Sequence, residues 1–390
     1  MTPLCISAYT AVCAAGSGRQ ALLSALRERR SGLRPNDFGV SPFATFTGRV
    51  AGIESSPLPA SLAEWECRNN RLAWLGLISD GFDAAVRAAR ARYGAARIAV
   101  VVGTSTSSIG ASEEAYQNLT PSGEYPAGLR RPVVHTPHSL GDFVQHALQL
   151  EGLSFTVATA CSSSAKAIAS AERLLRLGLA DAAVVGGVDT LCGSVLFGFN
   201  SLELISAQPC RPFDAARNGI SIGEAGGFML LERAGLGPRL LGYGESCDAY
   251  HMSSPHPEGL GARLAIEAAL QSAALPAEAI DYINLHGTAS QKNDEIEARV
   301  VADLFPARTL ASSTKGWTGH TLGAAGAIEA CLTLLCAADG YLPRSLNTRT
   351  LDPAFGAQVL LAAQRAPIRH ALSNSFGFGG NNCTLLLGAA

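Results

Sequence analysis

Three distant stretches of the sequence place a reactive side chain beside small residues at a predicted junction between elements. Cys161, in "VATACSSSAKAIASAERLL" (157–175), stands where an apolar β-like run gives way to serines and an alanine-rich helical pattern. His286 follows the apolar run of "DYINLHGTA" (281–289), and His320 precedes the small-residue pattern "TLGAAGAIEACLTLL". A thiol and two imidazoles suit nucleophilic and acid–base chemistry, provided that the fold brings them together.

Cys161 has two interpretations. If a helix begins just after it, free backbone N–H groups and the positive end of the helix dipole would lower a thiol pKa that is ~8.5 in a free cysteine. A buried cysteine that acts as a small hydrophobe is the alternative, and it is the commoner case for an isolated cysteine. The nucleophile interpretation therefore depends on a base and an oxyanion stabiliser elsewhere in the chain.

The two histidines stand in polar surroundings at predicted element ends. Thr288 and Ser290 follow His286 at the end of a strand, and Lys315 precedes His320 by five residues. If both rings reach one pocket, they can donate hydrogen bonds to an anionic oxygen. For either histidine alone, a structural role at an element end is the competing interpretation.

The stretch "SNSFGFGGNNC" (373–383) combines three glycines with Phe376 and Phe378. Glycines at this density predict a constrained loop with positive φ angles, in which backbone N–H groups approach a ligand closely. A plain hairpin turn would account for the glycines but not for the flanking aromatic residues and paired asparagines.

The stretch "CRPFDAARNGISIGEAGGFMLLE" (210–232) places charged residues among glycines just before a predicted strand. These residues are Asp214, Arg217 and Glu224. We expect an interior ion pair that supports the floor of the site rather than direct chemistry.

Composition narrows the class of protein. The chain has 390 residues, 47% hydrophobic and 16% charged, with 41 glycines, which favours an ordered α/β protein too long for one compact core. A net charge of -2 gives no general electrostatic reason for nucleic-acid binding. The ten cysteines contain no CxxC pair, so the sequence predicts no zinc site, no disulfide framework and a reducing, cytoplasmic location. No apolar run reaches the ~20 residues of a membrane span.

The apolar runs divide the chain into two similar parts. Continuous apolar runs are typical of strands buried on both faces, and three occur in the first part: "RIAVVVGTSTSS" (97–108), "LSFTVATACSS" (153–163) and "DAAVVGGVDT" (181–190). Two similar runs follow, "GFMLLERAG" (227–235) and "DYINLHGTA". Alternation with helical patterns predicts a layered α/β architecture. Both Cys161 and His320 precede a small-residue helix that ends in a leucine pair. We therefore predict two related halves, 1–238 and 239–390.

Taken together, these motifs resemble the elongating (type I and II) β-ketoacyl-acyl-carrier-protein synthases, within the thiolase-like condensing enzymes. The resemblance covers nearly the whole chain and rests on "TACSSS", "RPFDAARNGISIGEAGG", "DAYHMSSPHPEG", "HGTASQKNDEIEA", "STKGWTGHTLGAAGAIE" and "NSFGFGG", in the family's order. It implies a duplicated five-layer αβαβα thiolase fold. It also implies decarboxylative Claisen condensation, in fatty-acid or specialised polyene or polyketide biosynthesis.

The resemblance implies a role for each candidate residue. Cys161 would carry the acyl chain as a thioester, and the N–H groups of Cys161 and Phe378 would form the oxyanion hole. His286 and His320 would stabilise the enolate left by malonyl decarboxylation, supported by Lys315. Asp294, Glu297 and Glu329 would hold the catalytic side chains or the surrounding fold in place. Thr288 and Ser290 would bind pantetheine. The substrate contacts would come from Phe376, Phe378 and Thr106, and Thr106 stands at the position that gates acyl-chain length.

The resemblance also implies partners. An acyl carrier protein would deliver both substrates on its phosphopantetheine arm, and no metal or redox cofactor would be needed. Arg68 and Arg71, at helical spacing in "ECRNNRLAWLG" (66–76), match basic docking positions of relatives, although a solvated helix face explains them equally well. A homodimer or a heterodimer with a related subunit is expected. The alternative function is a non-catalytic chain-length-factor partner, a class that usually lacks the nucleophile present here as Cys161.

Overall fold

The computed structural model describes residues 1–39, 41–356 and 358–390. Its strands confirm the apolar runs identified in the sequence, including those before Cys161 and His286. The strand before Cys161 is only half-buried, not buried on both faces as expected, because it lies at the edge of the sheet. The strands are β1 (Leu4–Cys13), β2 (Gly16–Ser17), β3 (Arg34–Pro35), β4 (Phe46–Gly48), β5 (Ile98–Gly103), β6 (Ser154–Val157), β7 (Ala182–Asp189), β8 (Ile222–Gly223), β9 (Ala225–Glu232), β10 (Arg239–Cys247), β11 (Tyr282–Asn284), β12 (Leu310–Ser312), β13 (Tyr341–Leu342), β14 (Gln364–Arg365), β15 (His370–Phe376) and β16 (Asn381–Gly388).

Helices follow most of the long strands. They are α1 (Arg19–Glu28), α2 (Arg68–Ile78), α3 (Phe82–Tyr93), α4 (Ile109–Gln117), α5 (Ser139–Ala147), α6 (Ser163–Arg176), α7 (Gly193–Ser201), α8 (Leu260–Ala273), α9 (Gln291–Leu304), α10 (Lys315–Thr318) and α11 (Ala325–Asp339). The alternation expected from the sequence is therefore present in both parts of the chain.

Sheet topology shows the duplication directly. The main sheet has eleven strands in the order β12-β11-β15-β16-β10-β1-β9-β7-β5-β6, with β2 paired to β1. Outward from the centre, β1-β9-β7-β5-β6 and β10-β16-β15-β11-β12 have the same order along their own halves. In each half the first two pairings are antiparallel and the next two are parallel. The halves join through antiparallel pairing of β1 with β10.

Among the described residues, three of the four apolar cores lie between the five layers of helices and half-sheets. One core lies between the half-sheets and contains residues of α6 and α11, such as Ile168 and Ile328, together with Val101 of β5. A second core packs α2, α3 and α5 on the other face of the first half, where Val100 is buried. The third packs α8 and α9 on the outer face of the second half. Neighbouring residues of β5 thus point into different cores, which explains its continuous apolar run.

The paired central helices meet near their N-termini. The backbone N–H of Ala327 donates to Ser164 Oγ at 2.9 Å, which links the first turns of α11 and α6. A Cβ on Gly326 would lie 2.7 Å from the backbone nitrogen of Ala165, so only glycine permits this approach. The segment Leu322–Asp339, which contains α11, is long and apolar enough to cross a membrane by length and composition. In this structure, however, 83% of the segment is buried inside the protein.

The close contact of α6 and α11 predicts a large stability cost for a side chain at Gly326. We expect Gly326→Val to lower the free energy of unfolding by about 1–3 kcal/mol or more, because the branched side chain overpacks the helix contact. Urea unfolding followed by circular dichroism measures the change. Gly128→Val is the matched control, since nothing lies within 4 Å of a Cβ at that position. Equal effects of the two substitutions would contradict the packing argument.

Candidate active site

Cys161 lies between β6 and the first turn of α6. The preceding Ala160 has a φ of 52°, and this turn directs the chain into the helix that begins at Ser163. A Cβ on Gly103 would overlap the backbone of Ser163 and Ser164, so β5 supports the helix start from below. The side chain of Cys161 is buried, with 4% of the residue exposed.

His320 occupies the corresponding position in the second half, just before α11. Its Nε2 lies 2.9 Å from Cys161 Sγ. The backbone N–H of His320 donates to the Ser221 carbonyl at 2.7 Å, so the backbone is held in place at the residue that carries the imidazole ring. The Leu322–Ala324 turn that follows contains Leu322 at a φ of 55°, a conformation unfavourable for a branched side chain.

His286 reaches the same site from the end of β11. Its ring lies 5.4 Å from the His320 ring, at an interplanar angle of 86°. The backbone N–H groups of His286 and Gly287 each donate to the Glu297 carboxylate at 2.8 Å. Asn374 donates to the same carboxylate at 3.1 Å. Glu297 therefore fixes the backbone that presents His286, as a structural residue rather than as a group facing the thiol.

Lys315 brings a buried cation beside His286. Its Nζ donates to the His286 carbonyl oxygen and to Glu329, and it lies 3.4 Å from His286 Nδ1. The side chains of Lys315 and Glu329 are 0% and 2% exposed. Because a buried ammonium group needs a compensating charge, the ion pair with Glu329 is what keeps Lys315 in this position.

Burial controls the protonation of both imidazoles. Desolvation lowers the pKa of His286 and of His320 well below 6.5, and the Lys315 charge lowers both further. Both rings are therefore neutral near pH 7. His320 Nδ1 is buried and has no hydrogen-bond partner among the described residues. A buried N–H without an acceptor is the costlier arrangement, so the proton of His320 belongs on Nε2, facing Cys161.

The Cys161 thiol is not activated in this state. Desolvation raises its pKa to about 11, although the Lys315 charge and the backbone N–H groups of Phe378 and Cys161 act in the opposite direction. This direction contradicts the expectation of a pKa lowered by the helix start, because desolvation of the buried sulfur is the largest of the effects on the thiol. Cys161 rests as a neutral thiol beside His320.

Three carboxyl groups near the site have pKa values that burial raises. Desolvation raises the pKa of Glu297 and of Glu329 to about 7 and that of Asp294 to about 6. Asp294 accepts hydrogen bonds from the N–H groups of Phe213 at 2.7 Å and Ala289 at 3.2 Å. It therefore joins the segment before β8 to the loop that carries Thr288 and Ser290.

The expected interior ion pair of residues 210–232 forms with partners outside that stretch. Arg217 lies 2.7 Å from a carboxylate oxygen of Asp352 and 4.0 Å from one of Asp294. Asp214 instead accepts backbone N–H groups of the segment that follows residue 348. The charges thus hold the loops under the site, as a scaffold.

The glycine loop approaches Cys161 as its composition predicted. Gly379 and Gly380 have φ angles of 72° and 74°. A Cβ on Gly377 would lie 3.0 Å from the Thr159 carbonyl oxygen and 3.3 Å from the Cys161 nitrogen. This approach brings the Phe378 N–H to the sulfur. The backbone N–H groups of Phe378 and Cys161, the predicted oxyanion donors, therefore both lie close to the thiol.

A cavity of about 460 Å³ opens onto these residues. Thr288 and Ser290 line it with hydroxyl groups 2.9 Å apart. Phe376 lies 6.0 Å from the His286 ring. The same cavity is therefore lined by the reactive residues and by hydroxyl groups, which suits an extended polar arm that carries a reactive end.

Phe199 is a cavity residue that the sequence reasoning missed. Its ring stacks on Phe378 at 5.4 Å and meets the His320 ring edge-on at 6.5 Å. The available signal was the aromatic run "VLFGFN" (195–200), which reads equally well as core.

Thr106 lies outside the group of described residues that line this cavity. Its N–H and hydroxyl both donate to Asp189, at 2.9 and 2.8 Å. Its role in chain-length selection stays a prediction.

Arg68 and Arg71 are engaged within the chain. Arg68 donates to the buried Glu224 carboxylate at 2.6 and 3.0 Å and also pairs with Glu54, while Arg71 pairs with Glu66. Their side chains are only 19% and 23% exposed. The docking role stays a prediction, and the geometry favours a structural role, because internal carboxylates already neutralise both guanidinium groups.

Among the described residues, Cys161, His286 and His320 form the group able to hold a metal ion, with ligand atoms within 4.8 Å of one another. Lys315 opposes such use, because a second cation would lie close to its ammonium group. The donor set suits hydrogen bonding to an anion better than metal binding.

The fold and the comparisons with known proteins agree. A chain from the complex of the ketosynthase ApeO with its chain length factor ApeC, from Xenorhabdus doucetiae, is 40% identical and superposes with a TM-score of 0.91, covering 100% of this chain and 98% of that one. A β-ketoacyl synthase from Burkholderia phymatum STM815 is 26% identical, with a TM-score of 0.86 and full coverage of both chains. The repeated half-sheets around paired central helices are the thiolase fold.

Family models give the same assignment. The model described as "Beta-ketoacyl synthase, N-terminal domain" matches residues 72–235, and its C-terminal counterpart matches residues 239–349. The chain belongs to the β-ketoacyl synthase family.

Curated relatives are named as synthases of the same kind. The 3-oxoacyl-[acyl-carrier-protein] synthase 2 of Vibrio cholerae is 32% identical over 317 residues, 75% of this chain and 76% of that protein. The enzyme of the same name from Rhizobium meliloti is 40% identical over 261 residues, and the mitochondrial one of Arabidopsis thaliana is 38% identical over 259 residues. These two matches cover 61% and 60% of this chain and span 61% and 56% of the relatives' lengths.

The neutral thiol predicts an unusual pH dependence of Cys161 alkylation. Because burial raises the thiol pKa to about 11, we expect the rate with iodoacetamide to rise about tenfold per pH unit from ~pH 7 to ~pH 10. N-acetylcysteine, the reference thiol, should level off near its own pKa. Peptide mass spectrometry measures the labelling, and Cys161→Ala identifies the peptide. A plateau below ~pH 9 would show an activated thiolate.

The Lys315–Glu329 pair predicts a stability cost for Lys315→Met. Removing one partner of a buried ion pair should lower the free energy of unfolding by about 3–5 kcal/mol, and Lys315→Met/Glu329→Gln should recover part of it. Urea unfolding provides the measurement. Lys292→Met removes the exposed pair with Glu295, whose side chains are 72% and 50% exposed, and should change stability by less than about 0.5 kcal/mol. A double variant no more stable than the single one counts against the pairing.

Proposed function

We propose that the protein is a β-ketoacyl-acyl-carrier-protein synthase that joins an acyl chain to malonyl units by decarboxylative Claisen condensation. The observation that carries this proposal is the 2.9 Å contact of Cys161 Sγ with His320 Nε2, in the cavity that also contains His286. A nucleophile and two neutral hydrogen-bond donors in one cavity match the needs of acyl transfer followed by enolate formation. The names of the curated relatives support the same reaction.

The first step is transfer of the acyl chain to Cys161. The Cys161 sulfur attacks the carbonyl carbon of the carrier-bound thioester, and its proton passes to the departing pantetheine thiolate. The N–H groups of Cys161 and Phe378, which both act on the sulfur, would donate to the oxyanion that develops in this step. The Lys315 charge favours the transient thiolate. Burial removes competing water, so the thioester is kept from hydrolysis.

The second step is decarboxylation of the malonyl group. The bond to the carboxylate breaks, CO2 leaves, and the electron pair forms an enolate at the remaining thioester. His286 and His320 are neutral, so each can donate an N–H to the enolate oxygen. The carbanion then attacks the Cys161 thioester carbonyl, the new carbon–carbon bond forms, and the sulfur leaves as a thiolate that takes up one proton from solvent.

The substrates are proposed to arrive on an acyl carrier protein. The Thr288 and Ser290 hydroxyl groups line the cavity and would bind the amide groups of a pantetheine arm. We include no metal or redox cofactor in the reaction, since loss of CO2 drives it.

A dimer, with a second copy or a related subunit, belongs to the same proposal. Two similar solved structures are described as a ketosynthase with its chain length factor, the one above and the ishigamide ketosynthase/chain length factor, which is 26% identical with a TM-score of 0.90 over 100% of this chain and 99% of that chain. The described surface also carries exposed apolar residues on or next to α4 and α7. They are Ile109, Tyr116, Leu119, Phe197 and Leu202.

We propose a specialised polyene or polyketide pathway rather than housekeeping fatty-acid synthesis, because both of these similar structures contain a chain length factor. A cytoplasmic location is part of the proposal, supported by ten free cysteines of which nine are buried. The non-catalytic chain-length-factor role is the competing function, and the assembled set of Cys161, His286 and His320 argues against it.

The test measures acyl transfer and malonyl decarboxylation separately. Wild-type protein should form an acyl adduct from acyl-carrier protein and release CO2 from malonyl-carrier protein, whereas Cys161→Ala should form no adduct. His286→Ala and His320→Ala should retain the adduct but lose decarboxylation by about 100-fold or more, because each removes a donor to the enolate. Intact-protein mass spectrometry and labelled CO2 provide the two readouts.

Cys247→Ala is the matched control for Cys161→Ala, because Cys247 is the exposed cysteine of the chain. It should leave both steps unchanged. Absence of an adduct on the wild-type protein, with its partner subunit present, would favour the chain-length-factor role. Equal loss of both steps in the histidine variants would show that the assignment of the enolate donors is wrong.

A further inference from the structure

Asp189 is a buried carboxylate that the proposed mechanism does not use. It is the last residue of β7 and is 0% exposed. No arginine or lysine forms an ion pair with it among the described residues, so hydrogen bonds alone hold it. Such a group is costly unless its oxygens are well satisfied, which makes its partners informative.

One side of the Asp189 carboxylate is held by the loop after β5. Asp189 Oδ1 accepts the Thr104 hydroxyl at 2.7 Å, the Thr106 N–H at 2.9 Å and the Thr106 hydroxyl at 2.8 Å. The Ser105 N–H donates to both carboxylate oxygens, at 3.0 and 2.9 Å. The loop that contains Thr106 is therefore wrapped around this one side chain.

The other side of the carboxylate holds the turn that follows His320. Asp189 Oδ2 accepts the N–H of Ala324 at 3.1 Å. A Cβ on Gly323 would lie 2.6 Å from the Ser105 nitrogen and 2.8 Å from Asp189 Oδ2, so turn and loop are in direct contact. Leu322, within the turn, has the unfavourable φ of 55° noted above. A strained turn keeps its shape only where its surroundings impose it.

We infer that Asp189 is a positioning residue for His320. It fixes the Leu322–Ala324 turn against the loop of Thr104, Ser105 and Thr106, and so sets where the His320 ring lies over Cys161. The inference rests on the proposed function, because the enolate step is where a displaced donor matters most. The same contact makes Asp189 a link between His320 and Thr106, the residue predicted to influence acyl-chain length.

Asp189→Asn tests this inference because it keeps the shape and changes one acceptor into a donor. An amide group in place of Oδ2 would face the N–H groups of Ser105 and Ala324, so that Ala324 loses its acceptor and Ser105 keeps only its bond to Oδ1. We expect malonyl decarboxylation to fall about 10- to 100-fold, as for a small displacement of a catalytic group. Acyl transfer to Cys161 should fall by less than about threefold, since its donors lie on other segments.

Two variants keep the test decisive. Asp281→Asn is the matched control, because Asp281 also accepts two backbone N–H groups, of Arg369 and His370 at 2.7 and 3.1 Å, away from the site. It should leave both rates unchanged. Gly323→Ala pushes the turn away from the loop and from the Asp189 carboxylate without removing that carboxylate, so it should reproduce the selective loss if Asp189→Asn fails to fold.

The ratio of decarboxylation rate to acylation rate is the deciding readout, because a lower folded fraction reduces both rates together. A selective loss in Asp189→Asn or Gly323→Ala supports the positioning role. Parallel loss of both rates, or wild-type rates in the folded variants, overturns it. Failure of the proposed function is recognised separately, as inactivity of the wild-type protein.

Discussion

The contact between the N-terminal turns of α6 and α11 is the constraint on which the rest of the structure depends. Each helix begins just after a reactive residue, and the two starts touch through Ser164 and Ala327. Cys161 and His320 are separated by 159 positions in the chain, yet their side chains lie 2.9 Å apart. The spacing of two helices in the apolar core therefore determines the geometry of the site. A change in the packing of these two helices would therefore also change the distance between the reactive side chains.

Desolvation, the unavoidable result of that packing, decides which groups carry charge. It raises the pKa of the Cys161 thiol and lowers that of both imidazoles, so these three groups are neutral near pH 7. The ion pair of Lys315 with Glu329 is the charged element at the site. The interior thus offers hydrogen-bond donors and one localised charge, an environment that stabilises an anion formed during a reaction rather than one present beforehand.

The sequence was sufficient for the strands and for the repeated pattern of two halves, because apolar runs and small-residue junctions are local signals. The meeting of Cys161 with His286 and His320 followed only from the resemblance of the motifs to a known family. Three features were beyond the sequence for a common reason. The direction of the thiol pKa depends on burial by elements far along the chain. The partner of Arg68 is Glu224, 156 positions away, and the partner of Thr106 is Asp189, 83 positions away. A helical spacing identifies a face of a helix but not the carboxylate that covers it.

The neutral thiol of Cys161 affects how readily the resting protein is oxidised. Peroxides attack thiolates, so a cysteine that stays protonated at rest is a poor target for oxidation to sulfenic acid. Nine of the ten cysteines share this protection through burial. Reactivity then develops only with a thioester in place, when the proton has somewhere to go. Burial of the nucleophile thus gives the protein chemical durability as well as a site for catalysis.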